Sequence, residues 1–400
     1  MGDNIPPFFK TKYMQKEING IIEDIFQYLK ENESQKYDLF KGKLGISLFF
    51  FYYSFYAKNK NSFDIAFHYL EDEKNRFDNG IGDENLIFDI QWFVWALNIL
   101  KNDKIIECDL NDFDSIFPLL SNRFNHNDKI GNYDLIYGNI GLGLVQKYFL
   151  STEKYVELFY NFFNNNKEEH VNSVTWKWLD KNTNSYGYNF GLAHGIPSII
   201  IFLNKLFSLR KKTTILKLID DSCRYLMSNI QNPVLFNSYF PTSKTVASTN
   251  TFGRLAWCYG DLGCGYALLK SSMSLNNKPL FNKSIQILKH TAQRRDPELT
   301  LIKDLGICHG SSGLIIFFDK LFELTNEEVF HEAYTYWLNY TINEIISKGD
   351  VSNILAWNSL EAEGSHMDKG FLTGLAGIGL VLITTISKNE KSWNEFLLLD

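Results

Sequence analysis

The chain has 400 residues, 45% of them hydrophobic and 16% aromatic, which is enough apolar material for a large buried core. Charged residues make up 22% and the formal net charge is −6, so a nucleic-acid-binding protein with an overall basic field is excluded. The first residues lack the basic-then-apolar order of a signal peptide, and the longest apolar run, 44–57, is too short to cross a bilayer. We therefore expect a cytoplasmic protein without a transmembrane segment.

The cysteines support the same expectation. An odd number of cysteines scattered through a long chain is typical of reduced thiols rather than of a disulfide framework. There are five: Cys108, Cys223, Cys258, Cys264 and Cys308.

The chain contains an internal repeat: a glycine, two further residues, a small residue and then an apolar run with helical character. Six clear copies are GKLGISLFFF at Gly42, GNIGLGLVQKYFL at Gly138, GIPSIIIFLNKL at Gly195, GDLGCGYALL at Gly260, GSSGLIIFFDKL at Gly310 and GLAGIGLVLI at Gly374. Gly80, in FDNGIGDENLIF, is a degenerate further copy. The average spacing of about 55 residues suits one helical hairpin with its loops per copy. The sequence therefore predicts an all-α fold built from helical hairpins, in a single domain over residues 1–400.

The segments between the glycine motifs support this interpretation. Residues 214–229 and 326–347 carry apolar side chains at helical spacing, which predicts amphipathic helices. Residues 173–188 and 236–247 alternate more like strands and are predicted to form hairpins or loops at one end of the fold.

Alignment of the copies on their first glycine places the cysteines in two kinds of position. Cys264 occupies a position that is apolar in the other copies, which predicts a core residue. Cys258 and Cys308 both lie two residues before the glycine of successive copies. In an array of hairpins, equivalent positions of successive repeats are neighbours in space.

The position directly before the glycine is polar in every copy, as expected if it faces a shared cavity at the helix N-termini. It holds Lys41, Tyr137, His194, Tyr259, His309 and Thr373. His194 and His309 share this position, so the register favours a functional role for His194 over a purely structural one.

Cys258, Cys308 and His309 are three ligands that suit tetrahedral Zn²⁺, and three protein ligands with an open fourth position are typical of a catalytic zinc site. Two alternatives remain open on the residues alone. In the first alternative, Cys308 is a nucleophile and His309 is its base, although adjacent side chains rarely align in this way. In the second, Cys258 and Cys308 form a disulfide, which the expected compartment disfavours.

Further polar residues lie near the same helix N-termini in the repeat alignment. Asp134 and Asp38 lie in the same register, four residues before their glycines, and the repeat does not choose between them. Arg254 precedes Cys258 by four residues, a spacing that puts both on one side of a helical turn. His366 and Asp368 are candidates for the mouth of the cavity. The remaining histidines considered are expected to be solvated: His68, His170, His290 and His331.

Four motifs in this order, GLAHGIPSI, RLAWCYGDLGCGYAL, ICHGSSGL and FLTGLAGIGL, resemble those of the LanC-like lanthionine cyclases. The resemblance covers about residue 40 to the C-terminus. It implies an α/α-toroid, two concentric rings of helices around a catalytic zinc, and the stand-alone form of the enzyme. It also implies the addition of cysteine thiols to dehydroalanine or dehydrobutyrine in dehydrated precursor peptides. The chain departs from the family around Gly80, where GIGDENLIFD replaces a glycine-rich copy.

The resemblance assigns roles to individual residues. Cys258, Cys308 and His309 match the zinc ligands. His194 matches the histidine proposed for proton transfer, with Asp134 rather than Asp38 as its partner. Arg254 and Tyr259 match residues that flank the substrate thiolate.

The resemblance also implies partners, and two other functions compete with it. The implied partners are the precursor peptide, the dehydratase and the peptide transporter of the same pathway, with a peripheral place at the membrane. One alternative is a helical-toroid glycosidase that uses Asp38 and Asp134 as paired carboxylates. The other is a non-catalytic peptide-binding toroid in which zinc serves only stability.

Overall fold

The computed structural model describes residues 7–80, 84–180, 185–245, 249–357, 364–387 and 392–400. The chain divides into two compact units, each assembled from segments distant in sequence. Unit 1 comprises Met1–Glu107, Lys303–Asp319 and His331–Ser392, and unit 2 comprises Cys108–Ile302, Lys320–Phe330 and Trp393–Asp400. The single domain over residues 1–400 stays a prediction.

The described residues are mostly helical, as the sequence predicts. The helices are α1 Pro7–Glu31, α2 Lys43–Ala57, α3 Lys60–Gly80, α4 Glu84–Asn102, α5 Phe117–Lys129, α6 Asn139–Gln146, α7 Thr152–Asn165, α8 Ile196–Leu209, α9 Thr213–Ser228, α10 Pro233–Phe236, α11 Asp261–Ser274, α12 Lys278–Gln293, α13 Pro297–Thr300, α14 Ser311–Thr325, α15 Glu328–Lys348 and α16 Leu375–Ser387. Short 3₁₀ helices cover Leu110–Ile116, Val351–Asn353 and Ser392–Leu397. The predicted amphipathic helices at 214–229 and 326–347 are confirmed as α9 and α15.

The strands are short and belong to small antiparallel sheets. They are β1 Glu168–His170, β2 Ser173–Thr175, β3 Trp178–Asp180, β4 Ser185–Asn189, β5 Ser243–Thr245, β6 Thr249–Asn250, β7 Ala356–Trp357 and β8 Ser365–His366. β1 pairs with β2, β7 pairs with β8, and the order β3-β4-β5-β6 joins the two strand-like segments in one sheet, with Gly187 opposite Thr245. The prediction of strands in both segments is confirmed. Its boundary at residue 236 is wrong, because Phe236 closes the one-turn helix α10.

All six repeat glycines directly precede helices. Gly42, Gly138, Gly195 and Gly260 are the N-caps of α2, α6, α8 and α11, and α14 and α16 begin one residue after Gly310 and Gly374. The predicted link between glycine and helix start is therefore confirmed. Gly80 differs, because it is the last residue of α3, and residues 81–83 lie outside the described residues.

The helices that follow the repeat glycines are buried on nearly every face. In unit 2, α8 and α11 pack against each other, while the amphipathic α9 covers α8 and α12 covers α11. A helix that is apolar all round needs neighbours on all sides, whereas an amphipathic partner turns one face to solvent. The pairing of a buried helix with an amphipathic one is thus the hairpin that the repeat length predicts.

Unit 1 brings together the two ends of the repeat series. α16 packs against both α1 and α2. The loops also meet, because a Cβ on Gly45 would lie 3.0 Å from the Phe371 amide nitrogen, and one on Gly370 would lie 1.7 Å from the Phe40 carbonyl oxygen. Within the described residues, no helix has the length and apolarity needed to cross a membrane.

Candidate active site

A side-chain turn before the helix explains why four of the six repeat copies need glycine. In four copies an Asn or Asp lies six residues before the glycine: Asn132, Asn189, Asp304 and Asp368. Each uses Oδ1 to accept the backbone N–H two residues on, at 2.8–3.3 Å. A Cβ on the repeat glycine would lie only 2.3–2.6 Å from this Oδ1. Only glycine therefore lets the turn fold against the helix start.

The acidic residue four positions before the glycine has a second structural task. Asp38 Oδ1 accepts the amides of Phe40 and Lys41, both at 2.8 Å. Asp134 Oδ1 does the same in its own copy, accepting from Ile136 at 2.7 Å and Tyr137 at 2.9 Å. The shared register thus reflects a shared turn rather than a pair of catalytic carboxylates.

Asp134 differs from Asp38 in what its other oxygen contacts. Asp134 Oδ2 lies 2.7 Å from His194 Nδ1. Burial alone raises the pKa of Asp134, but the charge and hydrogen bond of His194 and the two backbone amides outweigh it and lower the pKa below its usual value. An ionised carboxylate only accepts, so Nδ1 of His194 carries the proton in this contact. The predicted contact between Asp134 and His194 is present in unit 2.

Tyr259 lies beside this pair. Its ring centroid is 6.0 Å from that of His194. The ring packs on bare backbone, because a Cβ on Gly191 would lie 2.6 Å from Tyr259 Cδ1. Asn189 Nδ2 donates to the Tyr259 hydroxyl oxygen at 3.0 Å, and Asn189 is fully buried. Since that oxygen accepts from Asn189, the phenolic O–H is directed elsewhere.

Backbone hydrogen bonds join the motif loops of successive copies in unit 2. The Leu135 amide donates to the Ala193 carbonyl at 3.2 Å, and the Ala193 amide donates to the Cys258 carbonyl at 3.2 Å. These bonds fix the loops that carry Asp134, His194 and Cys258 side by side. Equivalent positions of successive repeats are therefore neighbours, as the alignment predicts.

Arg254 and Cys258 are held by the turn into α11. Gly260 has a φ of +101°, and a Cβ there would lie 1.9 Å from the Arg254 carbonyl oxygen. This position requires glycine for its conformation as well as for space. Arg254 is half-buried and Cys258 is buried. Trp257, between them, donates its indole N–H to the Leu397 carbonyl at 3.0 Å.

Cys308 and His309 belong to unit 1, and each contacts another residue of that unit. The Cys308 amide donates to the Leu372 carbonyl at 2.9 Å. His309 Nδ1 lies 2.9 Å from Asp304 Oδ2, which also accepts the Trp357 amide at 2.9 Å. A carboxylate close to Nδ1 is a common arrangement in metal-binding histidines.

The donor chemistry of the predicted zinc ligands suits the metal. All five cysteines are free thiols, so Cys258 and Cys308 retain their sulfur atoms as donors, and Asp304 orients the imidazole of His309. Within the described parts of the chain, no three or more His, Cys, Asp or Glu side chains are gathered closely enough to hold a metal ion. Cys258 belongs to unit 2 and the other two residues to unit 1, so the ligand set stays a prediction.

The structure adds Asn189 and Asp304, which we did not select from the sequence. Asn189 contacts Tyr259, and Asp304 contacts His309. A signal was available, because both occupy the position six residues before a repeat glycine, as do Asn132 and Asp368. The alignment that identified the histidines identifies these residues too, once the position six before the glycine is compared.

The other sequence predictions have mixed outcomes. Cys264 is fully buried, with Sγ 3.3 Å from the Phe190 carbonyl, so its assignment to the core is confirmed. The exposed positions of His68, His170 and His331 are also confirmed. The prediction for His290 is wrong: it is half-buried, and burial followed by the nearby Arg294 charge lowers its pKa.

Asp368 takes part in the same turn as Asp304. Its Oδ1 accepts the Gly370 amide at 2.8 Å, and Thr373 Oγ1 donates to Oδ2 at 2.6 Å. His366 Nε2 lies 3.7 Å from Oδ2. Asp368 is therefore a turn residue, and the role of both residues at a cavity mouth stays a prediction.

Comparison with known proteins gives a consistent result. A family model described as lanthionine synthetase C-like protein matches residues 33–398. The nisin biosynthesis protein NisC of Lactococcus lactis subsp. lactis is 26% identical over 307 residues, which is 67% of this chain and 64% of that protein. The match thus spans somewhat less than two thirds of the relative's length.

Solved structures extend the comparison to the fold. A structure of nisin cyclase superposes with a TM-score of 0.73 at 18% identity, covering 97% of this chain and 98% of that one. A sugar epimerase from a ruminal bacterium reaches a TM-score of only 0.42 at 10% identity, too low to support an argument. The match to nisin cyclase confirms the predicted all-α fold class, an α/α-toroid. Because the family model covers nearly all of the sequence, the chain belongs to the lanthionine synthetase C-like family.

Proposed function

We propose that this protein is a zinc-dependent cyclase of dehydrated precursor peptides. It adds a cysteine thiol of the peptide to a dehydroalanine or dehydrobutyrine residue and forms a lanthionine or methyllanthionine ring. Family membership supports the reaction class. The observation that carries the proposal is the Asp134–His194 pair, in which a carboxylate oxygen lies 2.7 Å from the imidazole Nδ1.

The proposed ligands of the zinc ion are Cys258, Cys308 and His309. A zinc ion supplies Lewis acidity, which deprotonates a bound thiol that would otherwise be mostly protonated near neutral pH. Asp304 supports this assignment, because its carboxylate lies 2.9 Å from His309 Nδ1, a contact common in metal-binding histidines.

The reaction needs a proton after the carbon–sulfur bond has formed. The thiolate sulfur bonds to the β-carbon of the dehydroamino acid, and the electron pair of the C=C bond moves onto the α-carbon and its carbonyl oxygen. A proton delivered to the α-carbon then completes the thioether. His194 is the proposed donor through Nε2, and Asp134 stabilises the protonated ring and fixes its orientation.

Tyr259 and Arg254 are proposed to act on the negative charge that develops during the addition. Tyr259 accepts a hydrogen bond from Asn189, and its own O–H is proposed to donate to a substrate oxygen. The permanent charge of Arg254 would stabilise the enolate oxygen. The proposed peptide partner is the dehydrated precursor, and the dehydratase and peptide transporter of the pathway are proposed as further partners.

Mass spectrometry of a co-expressed dehydrated precursor peptide tests the proposal. Ring formation leaves the peptide mass unchanged but removes free thiols, so fewer cysteines should react with an alkylating agent when the protein is present. The matched control is the same peptide with the His194→Asn protein. If thiol alkylation is identical with and without the wild-type protein, the cyclase proposal fails. A non-catalytic peptide-binding function then becomes the better interpretation of this fold.

The glycosidase alternative is less favoured. It would need Asp38 and Asp134 as paired carboxylates, yet both use Oδ1 to hold their own turns, and Asp134 Oδ2 contacts His194. It also assigns no role to Cys258, Cys308 and His309.

A further inference from the structure

A cavity of about 390 Å³ opens in unit 2, and none of its lining residues is among the candidate active-site residues. It lies where α12 ends and α13 begins, next to the turn that follows α10. Its lining combines cationic, polar and apolar side chains: Asn237, His290, Gln293, Arg294, Arg295, Asp296, Leu299 and Thr300.

Arg294 in the wall of this cavity has unused hydrogen-bonding capacity. It is only 7% exposed, and its Nη2 donates to the Gly253 carbonyl at 2.6 Å. Its Nε and Nη1 have no hydrogen-bond partner among the described residues, and neither has Nδ1 of His290. Buried donors are nearly always paired, because burial removes their water without replacing it. Two unpaired donors on one buried guanidinium indicate a partner that comes from outside the chain.

Two carboxylates of this region accept backbone amides, and the charge of one of them, Asp261, also acts on Arg294 and partly opposes the lowering of its pKa by burial. Asp261 accepts the amides of Tyr239 at 2.8 Å and Phe240 at 2.9 Å. Asp296, on the cavity wall, accepts the amide of Glu298 at 2.9 Å. A carboxylate in the cavity can accept a charge-assisted hydrogen bond from Nε or from Nη1 of Arg294.

An apolar rim lies beside the cationic wall. Val234, Leu235 and Leu299 are 89%, 73% and 63% exposed. They sit on the one-turn helices α10 and α13, which are tied together because Asn237 Nδ2 donates to the Leu299 carbonyl at 3.4 Å. Leu299 lines the cavity itself, and Val234 and Leu235 precede the lining residue Asn237 by three and two residues. Exposed apolar side chains next to a buried cation are a feature of binding surfaces.

We propose that this cavity is a second binding site, which takes an acidic side chain of a peptide segment whose neighbouring residues are aliphatic. The carboxylate pairs with Arg294, and the aliphatic residues cover Val234, Leu235 and Leu299. The cavity is large for a lone inorganic anion, and charge complementarity selects an acidic over a neutral segment. The proposal does not depend on the cyclase activity, because binding is measured without turnover.

A fluorescence polarisation experiment tests the site with a defined probe. The probe is a fluorescein-labelled Leu-Glu-Leu-Leu peptide with a blocked C-terminus, and the matched peptide carries Gln in place of Glu. The Glu peptide should bind at least about tenfold more tightly, since charge-assisted hydrogen bonds to arginine are lost in the Gln peptide. Equal affinities, or no saturable binding of either peptide, would overturn the proposal.

Variants locate the binding on the surface. Arg294→Gln should weaken binding of the Glu peptide about tenfold or more and reduce its advantage over the Gln peptide, and Leu299→Ser should weaken both peptides. Two control variants alter unit 2 elsewhere. Lys278→Gln removes an exposed charge at the start of α12, and Leu209→Ser removes an exposed apolar side chain at the end of α8. Neither should change the affinity for either peptide. If the circular dichroism spectrum shows that Arg294→Gln does not fold, the test uses Arg295→Gln at a half-buried position and Leu299→Ser at an exposed one. Normal peptide binding by both variants would contradict the proposed site.

Two further outcomes would replace the proposed occupant. Acetate and inorganic phosphate are added as competitors at the concentration of unlabelled Glu peptide that displaces the probe. Equal displacement by either anion would show a small-anion site instead of a peptide site. Self-association of the protein in analytical ultracentrifugation that is lost in Leu299→Ser would assign the surface to a second copy of the chain.

Discussion

Asp134 lies 2.7 Å from Nδ1 of His194, and this contact orients the imidazole ring. The lowered pKa of Asp134 also has a consequence for stability. A carboxyl group whose pKa is lower in the folded state stabilises the fold above its unfolded pKa, and this contribution is lost as the pH falls through the folded pKa. The pair therefore contributes to the fold as well as to the proposed chemistry.

Replacement of His194 separates proton transfer from metal binding. His194→Asn should slow ring closure by roughly 10²–10⁴-fold, the usual effect of losing a positioned acid or base, and leave the zinc content unchanged. Asp134→Asn should act in the same direction but less strongly. Cyclisation rate, ring regiochemistry and zinc content by elemental analysis are the measurements. Asp38→Asn, which alters the equivalent turn in another copy, is the control, and loss of zinc from His194→Asn would make this histidine a ligand.

Asn189 is expected to position Tyr259 through a single hydrogen bond. In Asn189→Asp, Oδ1 can still accept the Gly191 amide, but the amide donor becomes an acceptor, so the Tyr259 hydroxyl turns to donate to the new carboxylate. The rate of ring closure should fall about tenfold, toward that of Tyr259→Phe. The double variant should be no slower than Tyr259→Phe alone. Additive effects in this double-mutant cycle would show that Asn189 acts independently of the phenol.

Asp304 is expected to select the ring nitrogen with which His309 binds zinc. Asp304→Asn replaces the carboxylate oxygen that faces the Trp357 amide and His309 Nδ1 by an amide N–H. An N–H opposite Nδ1 favours the tautomer of His309 with its proton on Nε2, and a protonated Nε2 cannot bind zinc. Zinc affinity, measured by competition with a chromophoric chelator, should fall roughly 10–100-fold. Asp368→Asn changes the equivalent turn residue of another copy and should retain the metal. Similar zinc affinities for the two variants would contradict a positioning role for Asp304.

Residue roles could be predicted only as far as the repeat alignment reached. Position relative to the glycine identified His194 and Cys258, but it made Asp38 and Asp134 look alike, because both hold the same turn. Their difference is a contact across 60 residues of sequence, between Asp134 and His194, which local spacing does not encode. The burial of His290 was missed for the same reason, since its packing on Tyr239 comes from another segment of the chain.

At the scale of the elements, one turn geometry is used repeatedly to start buried helices. The first helical amides bond back to the turn, as when Ser311 donates to the Asp304 carbonyl and Leu375 to the Asp368 carbonyl. These bonds satisfy donors that a helix N-terminus otherwise leaves unpaired. The repeat glycine is therefore part of the capping structure, and helix starts could be predicted from it with little error.

Replacing a repeat glycine by alanine in this turn should destabilise the fold, whereas the same replacement at Gly20 should stabilise it. A Cβ on Gly374 would lie 2.4 Å from the Gly370 amide nitrogen, so Gly374→Ala should lower the free energy of unfolding by about 1–3 kcal/mol. Gly20 in α1 has no atom within 4 Å of an added Cβ, so Gly20→Ala should raise it by about 0.5–1 kcal/mol. Urea unfolding measures both. Equal changes in the two variants would show that the close approach in the turn does not matter.

Short elements resisted prediction more than long ones did. α9 and α15 are long enough for helical periodicity to be evident, whereas α10 is a single turn inside a segment that alternates like a strand. The pairing of β4 with β5 joins residues more than 50 positions apart, and the sequence signals the strands but not their partner.

At the scale of the whole molecule, the environments of the cysteines should separate their reactivities. Burial raises the pKa of Cys264 and raises that of Cys223 to about 12, so both should resist iodoacetamide near neutral pH in the native protein. Cys258 and Cys308 should react only after a chelator has removed zinc. Mass spectrometry of the alkylated chain reads out every site at once, with Cys108 as the internal reference. Rapid alkylation of Cys308 in zinc-loaded protein would contradict the ligand assignment.

The packing of α16 against α1 and α2 has a consequence for protein synthesis. A ribosome that has finished α2 at Ala57 must add roughly 320 residues before α16 begins at Leu375, which takes about 15–60 s at ordinary elongation rates. Throughout that interval Phe49, which meets Gly379 of α16 in the finished fold, lacks that partner, whereas Phe50 and Phe51 can already pack on α1 and α3. One apolar face of α2 therefore stays uncovered until the last helix emerges, and this face is where the nascent chain is open to aggregation.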